Sequence, residues 1–216
     1  MKKAIVTGAT GNLGKAVVLE LLKQGYEVAG TGLMNEPLNG YSGAKIDLTN
    51  EKASGDWLRS HTEKGPVDTG VLTVGGFAMG DLSATDSTAI HEQIRLNFDT
   101  AFQVAAPLFQ HMKQRGSGTI FFIGSQAGMK AAKNVGVTAY GLSKSLLFRL
   151  AELMNLEAKG SAVKVFVVVP FIIDTPANRT AMPDADKSGW QTPEQIATRI
   201  LSCIQKPEKE EPLIVF

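Results

Sequence analysis

A tyrosine and a lysine four residues apart offer acid–base chemistry in the middle of the chain. Tyr140 and Lys144 enclose the sequence YGLSK, and on a helix residues at this spacing sit one above the other on one face. A free phenol has a pKa of about 10, and a neighbouring ammonium favours the phenolate and lowers that pKa. The pair could therefore trade a proton with a ligand near neutral pH. Because such a pair also arises by chance, its meaning depends on the other groups that the fold brings to it.

The sequence after Tyr140 predicts the helix that this pair requires. No proline interrupts the chain before Gly160, and apolar residues recur at helical spacing. The recurring residues are Leu142, Leu146, Leu147, Leu150, Leu153, Met154 and Leu156.

A glycine-rich turn near the N-terminus predicts a nucleotide site. Residues 4–6 suit a short buried strand, residues 15–24 suit a helix, and three glycines at a spacing of three lie between them. Glycines let the backbone approach a pyrophosphate, and the helix N-terminus offers unpaired N–H groups to it. The alternative is a turn that only closes a tight strand-to-helix connection. The predicted cofactor contacts in this turn are Gly8, Thr10, Gly11, Asn12, Leu13 and Gly14.

Strands and helices alternate along the whole chain, which predicts the fold class. Besides the first strand and helix, the predicted strands are residues 27–31, 44–46, 67–74, 119–123, 162–169 and 213–216, and the further predicted helices are residues 50–63, 86–114, the Tyr140 helix and 193–205. This alternation is typical of an α/β fold with a parallel sheet. We expect residues 1–216 to form a single domain of the Rossmann type, with a doubly wound parallel sheet of about seven strands.

The composition excludes several classes of partner. The 22 basic and 21 acidic residues are interspersed and give a net charge of +1, which does not favour nucleic acid or an anionic membrane. No apolar run approaches the roughly 20 residues that span a bilayer. The single cysteine, Cys203, cannot form an internal disulfide, and its surroundings have no metal-ligand spacing. We therefore expect a cytoplasmic protein without a bound metal.

The carboxyl ends of the predicted strands suggest how the cofactor is chosen. After the second strand an acid would select NAD and a basic residue would accommodate the 2′-phosphate of NADP, but the chain has Gly32 there and Glu36 follows a little late. Asp47 is a candidate for the adenine edge, or an ordinary acid before a helix. Since no acid repels a 2′-phosphate at Gly32, we expect NADP or NAD with a weak preference for NADP.

Four polar residues in a fixed order resemble the catalytic tetrad of the short-chain dehydrogenase/reductase family. They are Asn97, Ser125, Tyr140 and Lys144, and the likeness covers essentially the whole chain. The resemblance implies that Ser125 donates a hydrogen bond to the substrate carbonyl and that Tyr140 protonates the alkoxide. It also implies that Lys144 lowers the pKa of Tyr140 and holds the nicotinamide ribose, and that Asn97 positions a water. Further cofactor contacts implied by the resemblance are Gly32, Asp47, Leu48, Gly75, Gly76, Tyr140, Lys144, Pro170 and Thr175.

Departures from the family's motifs mark a divergent member. The motif TGxxxGxG would place its middle glycine at Asn12, residues 73–76 read TVGG instead of Asn-Asn-Ala-Gly, and Phe171 replaces the glycine of a Pro-Gly pair. These changes leave a cofactor site in place but bear on cofactor orientation and on the substrate. In the family, the helices that carry Asn97 and Tyr140 pair across a two-fold axis, so the resemblance implies a homodimer or homotetramer.

Residues 171–190 resemble the substrate lid of dihydropteridine reductases. Phe171, Met182 and Trp190 offer apolar surface for a ring substrate, of which a quinonoid dihydropterin is the named candidate. Alternatively, Met182 and Trp190 only pack this segment onto the sheet. Those reductases lack the catalytic serine that Ser125 supplies here.

The sequence as a whole predicts an NAD(P)-dependent oxidoreductase. It would transfer hydride between a nicotinamide cofactor and a small-molecule carbonyl, alcohol or pterin-like substrate. The alternative is a catalytically silent protein that senses NAD(P), although divergent relatives of that kind usually lose the tyrosine and lysine that this chain keeps.

Overall fold

Seven parallel strands form one sheet at the centre of the molecule. The structure is a computed structural model that describes residues 1–32 and 38–216. The strands are β1 (Lys3–Thr7), β2 (Glu27–Thr31), β3 (Tyr41–Ala44), β4 (Thr69–Leu72), β5 (Ser117–Ile123), β6 (Ala162–Val169) and β7 (Leu213–Val215). Their order across the sheet is β3-β2-β1-β4-β5-β6-β7. The chain reverses direction across the sheet between β1 and β4, where open α/β sheets bind ligands at the carboxyl ends of their strands.

Helices cover both faces of the sheet. They are α1 (Asn12–Lys23), α2 (Glu51–Thr62), α3 (Ser87–Ile94), α4 (Thr100–Arg115), α5 (Gln126–Met129), α6 (Thr138–Glu157), α7 (Pro176–Ala181) and α8 (Pro193–Gln205), with a π-helical turn at Arg95–Asp99 between α3 and α4. Among residues 1–32 and 38–216, none of these helices is long and apolar enough to cross a membrane.

Two apolar layers hold the helices to the sheet. Phe121 packs in the layer beneath α1 and α8, and its neighbour Phe122 packs in the layer beneath α2, α4 and α6. Successive side chains of a strand point to opposite faces, so β5 supplies both layers. Phe121 also stacks on Phe166 of β6, with ring centroids 4.9 Å apart. The predicted α/β fold with a doubly wound parallel sheet of seven strands is thus confirmed.

Two predicted elements are wrong in their details. The third strand covers Tyr41–Ala44 rather than residues 44–46, because the polar side chains early in this segment hid a strand at the edge of the sheet. The helix predicted over residues 86–114 is interrupted at Arg95–Asp99, where a π-helical turn adds one residue per turn. The periodicity of apolar residues does not reveal such a turn.

The first helix begins three residues earlier than predicted. Gly11 is its N-cap in an extended conformation, and Asn12 is its first helical residue. Among the described residues, positive φ angles occur only at glycines. Asn12 therefore replaces the family's glycine without backbone strain.

Candidate active site

The glycine turn after β1 forms a tight cradle at the start of α1. Gly8 has a φ of 64°, and a Cβ on Gly14 would lie 2.1 Å from the Gly8 carbonyl oxygen, so the turn requires both glycines. Gly11 provides no side-chain cap, which leaves the first N–H groups of α1 for a ligand, while Leu13 is buried beneath the turn. This arrangement suits a pyrophosphate.

Threonine hydroxyls fix the ends of the neighbouring strands around this cradle. Thr73 Oγ1 donates to the Thr7 carbonyl oxygen at 2.7 Å, and Thr73 N donates to Thr7 Oγ1 at 3.2 Å. Gly8 N donates to Thr31 Oγ1 at 2.9 Å. Thr73 stands where the family has an asparagine, and it ties the β4 end to the β1 end through a hydroxyl.

Asn97 clamps the backbone at the end of β4. Its Oδ1 accepts from Gly76 N at 3.0 Å and its Nδ2 donates to the Gly76 carbonyl oxygen at 3.0 Å. A Cβ on Gly75 would lie 2.6 Å from Asn97 Oδ1 and 3.0 Å from Lys144 Nζ. The glycine at position 75 thus leaves the space in which the amide and the ammonium approach each other.

Two buried residues that the sequence analysis missed extend this clamp to Tyr140. Asn97 Nδ2 also lies 3.0 Å from Gln93 Oε1 and 3.1 Å from Ser143 Oγ, and Ser143 Oγ donates to the Tyr140 carbonyl oxygen at 2.7 Å. Asn97 and Ser143 are fully buried; Asn97 lies in the π-helical turn and Ser143 lies on α6. Gln93 precedes Asn97 by four residues, a spacing that could have indicated a shared helix face.

Ser125 reaches the site because β5 ends directly before it. It is the N-cap of α5, and its Oγ accepts from Ala127 N at 3.2 Å. A Cβ on Gly128 would lie 2.8 Å from the carbonyl carbon and from the Cβ of Lys144, so only a glycine lets α5 lie this close to α6. This contact places Ser125 close enough to Tyr140 to affect the pKa of that phenol.

The ionisation of Tyr140 and Lys144 departs from the sequence-based expectation. Lys144 is 6% exposed, and its Nζ donates to the Ile123 carbonyl oxygen at 2.9 Å. Burial lowers the pKa of Lys144 from 10.5 to about 8. Burial also raises the pKa of Tyr140 above its ordinary value, and the hydrogen bond with Ser125 opposes this rise only in part.

The pKa of Tyr140 is therefore raised in the protein without a ligand, and its lowering by Lys144 stays a prediction. Lys144 Nζ lies 5.9 Å from the centre of the Tyr140 ring, yet both groups are removed from water. Desolvation disfavours the charged form of each. Tyr140 is thus a neutral phenol at neutral pH.

Side chains from β3 and from the glycine turn fill the space at the end of β2. Tyr41 donates to the Gly32 carbonyl oxygen at 2.6 Å, and Gly32 has a φ of 117°. A Cβ at this position would lie 2.7 Å from Thr10 Cγ2, so Thr10 takes part of the space that the sequence analysis assigned to a 2′-phosphate. Glu36 lies outside the described residues.

The end of β3 presents an exposed carboxylate. Asp47 accepts from Thr49 N at 2.9 Å and from Thr49 Oγ1 at 2.8 Å, and these bonds lower the pKa of Asp47. The N-cap of α2 is Asn50, so Asp47 is not a helix cap. Its neighbour Leu48 is buried, which leaves the carboxylate and not the leucine side chain available to a ligand.

The segment of residues 171–190 is held at its neck by Gln191. Phe171 N donates to Gln191 Oε1 and Asp174 N donates to the Gln191 carbonyl oxygen, both at 2.8 Å. Thr175 is the N-cap of α7, and Pro170 is buried at the end of β6. This segment therefore leaves the sheet and returns to it at one point.

The three residues expected to contact a ring substrate do not form one surface. Trp190 is 7% exposed, and Lys187 Nζ lies 5.6 Å from its ring centre. Phe171 is exposed and Met182 is half-buried. This arrangement favours the alternative in which Trp190 packs its segment onto the rest of the protein.

Comparisons with known proteins identify the family. The model of the family described as "short chain dehydrogenase" matches residues 2–186. An uncharacterized oxidoreductase, YvrD, from Bacillus subtilis is 27% identical over 179 residues, which are 78% of this chain and 67% of that protein. L-xylulose reductase from Mus musculus is 28% identical over 195 residues, which are 87% of this chain and 78% of that protein.

The solved structure of ElxO with NADP bound has the same fold. It is 21% identical to this chain, covers 99% of it and 96% of its own chain, and superimposes with a TM-score of 0.89. The match to the family model covers most of the chain. The chain therefore belongs to the short chain dehydrogenase family, as the tetrad and the glycine turn predicted, and it is an NAD(P)-dependent oxidoreductase.

Proposed function

We propose that this short chain dehydrogenase reduces the carbonyl group of a small molecule and that Tyr140 is the proton donor. One observation carries the proposal. Four residues converge at the carboxyl edge of the sheet, beside the cradle at Gly8. They are Tyr140 and Lys144 on α6, Ser125 after β5, and Asn97, which lies in the π-helical turn and bonds to Gly76 after β4. In the reduced state the nicotinamide supplies a hydride to the carbonyl carbon, and the oxygen then takes a proton from the protein.

The residues at the cradle fit a dinucleotide. The uncapped start of α1 offers N–H groups to the pyrophosphate, and the lack of a side chain at Gly75 leaves Lys144 Nζ open on that side. We assign the nicotinamide ribose to Lys144, since an ammonium that has lost its water gains most from hydroxyl partners. The exposed Asp47 carboxylate is assigned to the adenine edge.

The charge states favour the reductive direction. A phenol that stays neutral at pH 7 can give its proton to an alkoxide without first being recharged. Ser125 lies close enough to this phenol to affect its pKa and can donate to the same substrate oxygen. Asn97 Oδ1 uses one lone pair for Gly76 N, which leaves one for the water that resupplies the proton.

NADP is the proposed cofactor. No acid stands at Gly32 to repel a 2′-phosphate, and the Thr10 hydroxyl lies beside that position, where it can donate to a phosphate oxygen. ElxO, a structural neighbour, was solved with NADP. Thermal shift with NADPH and NADH at equal concentration tests this choice, because a ligand stabilises in proportion to ln(1 + [L]/Kd). A larger shift with NADH would contradict it and would direct attention to Glu36.

The pterin substrate suggested by the sequence loses part of its support. Trp190 is buried and would not stack on a ring. Phe77 and Phe171 are exposed, so a ring could lie against them, and a quinonoid dihydropterin belongs in the substrate panel for that reason.

The decisive experiment is the substitution Tyr140→Phe. We expect oxidation of NADPH by a carbonyl panel to fall at least 1,000-fold, on the order of what catalytic acids contribute together with orientation, while the Kd for NADPH changes less than threefold. Tyr26→Phe is the matched control, because Tyr26 is a buried tyrosine at the opposite end of the sheet. Undiminished turnover by the Tyr140→Phe protein would remove the proposed donor, and cofactor binding without any turnover by the wild type would favour a sensor.

A further inference from the structure

Four large apolar side chains stand out from the two loops that precede Tyr140. Phe77, Met79 and Leu82 on the loop after β4 are 63%, 83% and 82% exposed, and Val135 on the loop after β5 is 84% exposed. Among the described residues, only Met1 exposes a larger fraction of a large apolar side chain. A concentration of exposed apolar surface marks a binding site more often than chance.

Backbone hydrogen bonds join the two loops. Gly80 N donates to the Gly136 carbonyl oxygen and Thr138 N donates to the Gly80 carbonyl oxygen, both at 2.8 Å. The Asp81 carboxylate accepts from Ser83 N at 3.0 Å and from Ser83 Oγ at 2.7 Å. These hydrogen bonds hold the two loops together, and the exposed apolar side chains project from a hydrogen-bonded backbone.

A groove of about 470 Å³ lies between these loops, within the range of volumes that hold small molecules. Leu82 and Val135 both contribute to its lining, which also includes Thr138, two residues before Tyr140. Phe77 lies edge-on to the Tyr140 ring, with ring centroids 5.1 Å apart. Phe77 therefore lies against the phenol, and Leu82, five residues later on the same loop, lines the groove.

The charge of the groove indicates what kind of molecule it accepts. Asp81 is its only charged lining residue among the described part of the chain, and Ser83 and Ala84 already donate to that carboxylate. No lining cation is available for an anionic substrate. An uncharged apolar group would bury the leucine and valine side chains at no electrostatic cost.

We propose that the substrate is a carbonyl compound with an apolar body, an alkyl chain or aryl group of several carbons, that crosses Phe77 and enters the groove between Leu82 and Val135. Its carbonyl carbon would face the cofactor, and its oxygen would lie at Tyr140 and Ser125. This substrate class rests on the proposed function and narrows it.

Methyl ketones of increasing length, from 2-butanone to 2-undecanone, test the proposal in steady-state assays. Each methylene that enters the groove should lower KM by about fourfold until the groove is filled. In the double variant Leu82→Ser with Val135→Ser, the dependence of KM on chain length should fall to roughly twofold per methylene or less, so that KM rises most for 2-undecanone and least for 2-butanone. Leu19→Ser is the control, because Leu19 is a partly exposed leucine on α1 and should leave the chain-length dependence intact.

A binding measurement separates this proposal from the reaction itself. Isothermal titration of 1-decanol into the protein with bound cofactor should give a Kd at least tenfold weaker in the double variant than in the wild type or the Leu19→Ser variant. If ketones are reduced but KM does not depend on chain length, the proposed substrate class is wrong and the proposed reaction is still supported. Decanol binding that the double variant retains would also overturn it.

Two further outcomes complete the test. If the groove binds decanol but no carbonyl is reduced, the apolar site stands and the proposed function fails. If the wild type sediments with phosphatidylcholine vesicles, the double variant does not, and no chain-length dependence is seen, the surface contacts a membrane and the substrate proposal is wrong.

Discussion

Two asparagines clamp backbone in the same way, one beside the start of α6 and one near its end, and only the first lies at the proposed reaction site. Asn97 bonds to both N and O of Gly76, and Asn155 bonds to both N and O of Val165, at 3.0 and 2.7 Å. The second clamp is explained by the sheet alone. β7 pairs only with residues 167–169 of β6, so Asn155 takes the place of a missing strand partner at Val165.

The difference lies in what each clamp is connected to. Asn155 has Val165 as its backbone partner, whereas Asn97 is also hydrogen-bonded to Gln93 and Ser143. Through Ser143 its position depends on the turn that carries Tyr140. One hydrogen-bonding pattern therefore stabilises a strand at one site and holds the turn of the proposed proton donor at the other.

The largest expected effect comes from removing each clamp in turn. In Asn97→Leu a fully buried amide is lost, and Gly76, Gln93 and Ser143 each lose a partner, so we expect the free energy of unfolding to fall by about 2–4 kcal/mol and kcat/KM by at least about 100-fold. Asn155→Leu should cost about 1–2 kcal/mol, because Asn155 is only half-buried and its amide bonds to the backbone of Val165, and should leave kcat within about twofold. Urea denaturation and steady-state kinetics on both proteins measure the contrast. Equal losses of activity would abolish the distinction drawn between the two clamps.

The free energy of unfolding should depend on pH through Lys144, and Asn155 should contribute nothing to this dependence. The pKa of Lys144 is about 8 in the folded protein, where the side chain is buried, and 10.5 when it is not buried. The unfolded chain therefore binds more protons between these values, so the free energy of unfolding should rise with pH there. The difference of about 2.5 pH units corresponds to roughly 3 kcal/mol.

This dependence can be measured by urea denaturation from pH 7 to 10 without cofactor. Lys144→Met should flatten the curve, whereas Asn155→Leu should shift it without changing its slope. Above pH 10 the raised pKa of Tyr140 acts in the opposite sense, since the unfolded phenol ionises first and stability is lost. A wild-type curve with no rise between pH 8 and 10 would mean that Lys144 stays charged when folded.

Ser143→Ala should have a smaller effect than Asn97→Leu on both stability and activity. The substitution removes the bond to the Tyr140 carbonyl oxygen and one acceptor of Asn97, but keeps the Gly76 clamp. We expect a loss of about 1 kcal/mol in unfolding free energy and a five- to tenfold fall in kcat, with an unchanged Kd for the cofactor. Ser161→Ala is a matched control, because Ser161 Oγ makes a similar bond to a backbone carbonyl at 2.7 Å beyond the end of α6. A fall in stability without any fall in kcat would make Ser143 a structural residue only.

The smallest effect on activity is expected from the outer face of α6. Leu153 and Leu156 on α6 and Phe102 on α4 are exposed, and we propose that these helices pair with a second copy of the chain. Light scattering should give at least twice the monomer mass of 23.1 kDa. Leu153→Glu with Leu156→Glu should give the monomer and leave the stability of each clamp nearly unchanged. A monomeric wild type at micromolar concentration would contradict the pairing.

The parts of the site that the sequence could predict are those with local spacing. Tyr140 and Lys144 are four residues apart on one helix, and the glycine turn follows a strand, so each is visible in a short window. Ser125 and Asn97 could be placed because they follow a predicted strand or lie on a predicted helix in the family's order.

What the sequence could not predict depends on contacts between distant residues. The π-helical turn carries Asn97, which bonds to Gly76, twenty-one residues away. The raised pKa of Tyr140 follows from burial, which a residue spacing does not encode. Trp190 looked available to a substrate because its segment has no regular period, yet the fold buries it.

The π-helical turn at Arg95–Asp99 also bears on how relatives of this chain should be aligned. Such a turn holds one residue more than the α-helix it interrupts, so a relative with an unbroken helix here has a chain one residue shorter. Each residue in an α-helix advances by about 100° around the axis. If an alignment places the one-residue gap outside residues 95–99, Asn97 is matched with a residue whose side chain points to a different face of the helix. The alignment would then hide an asparagine clamp that both proteins possess.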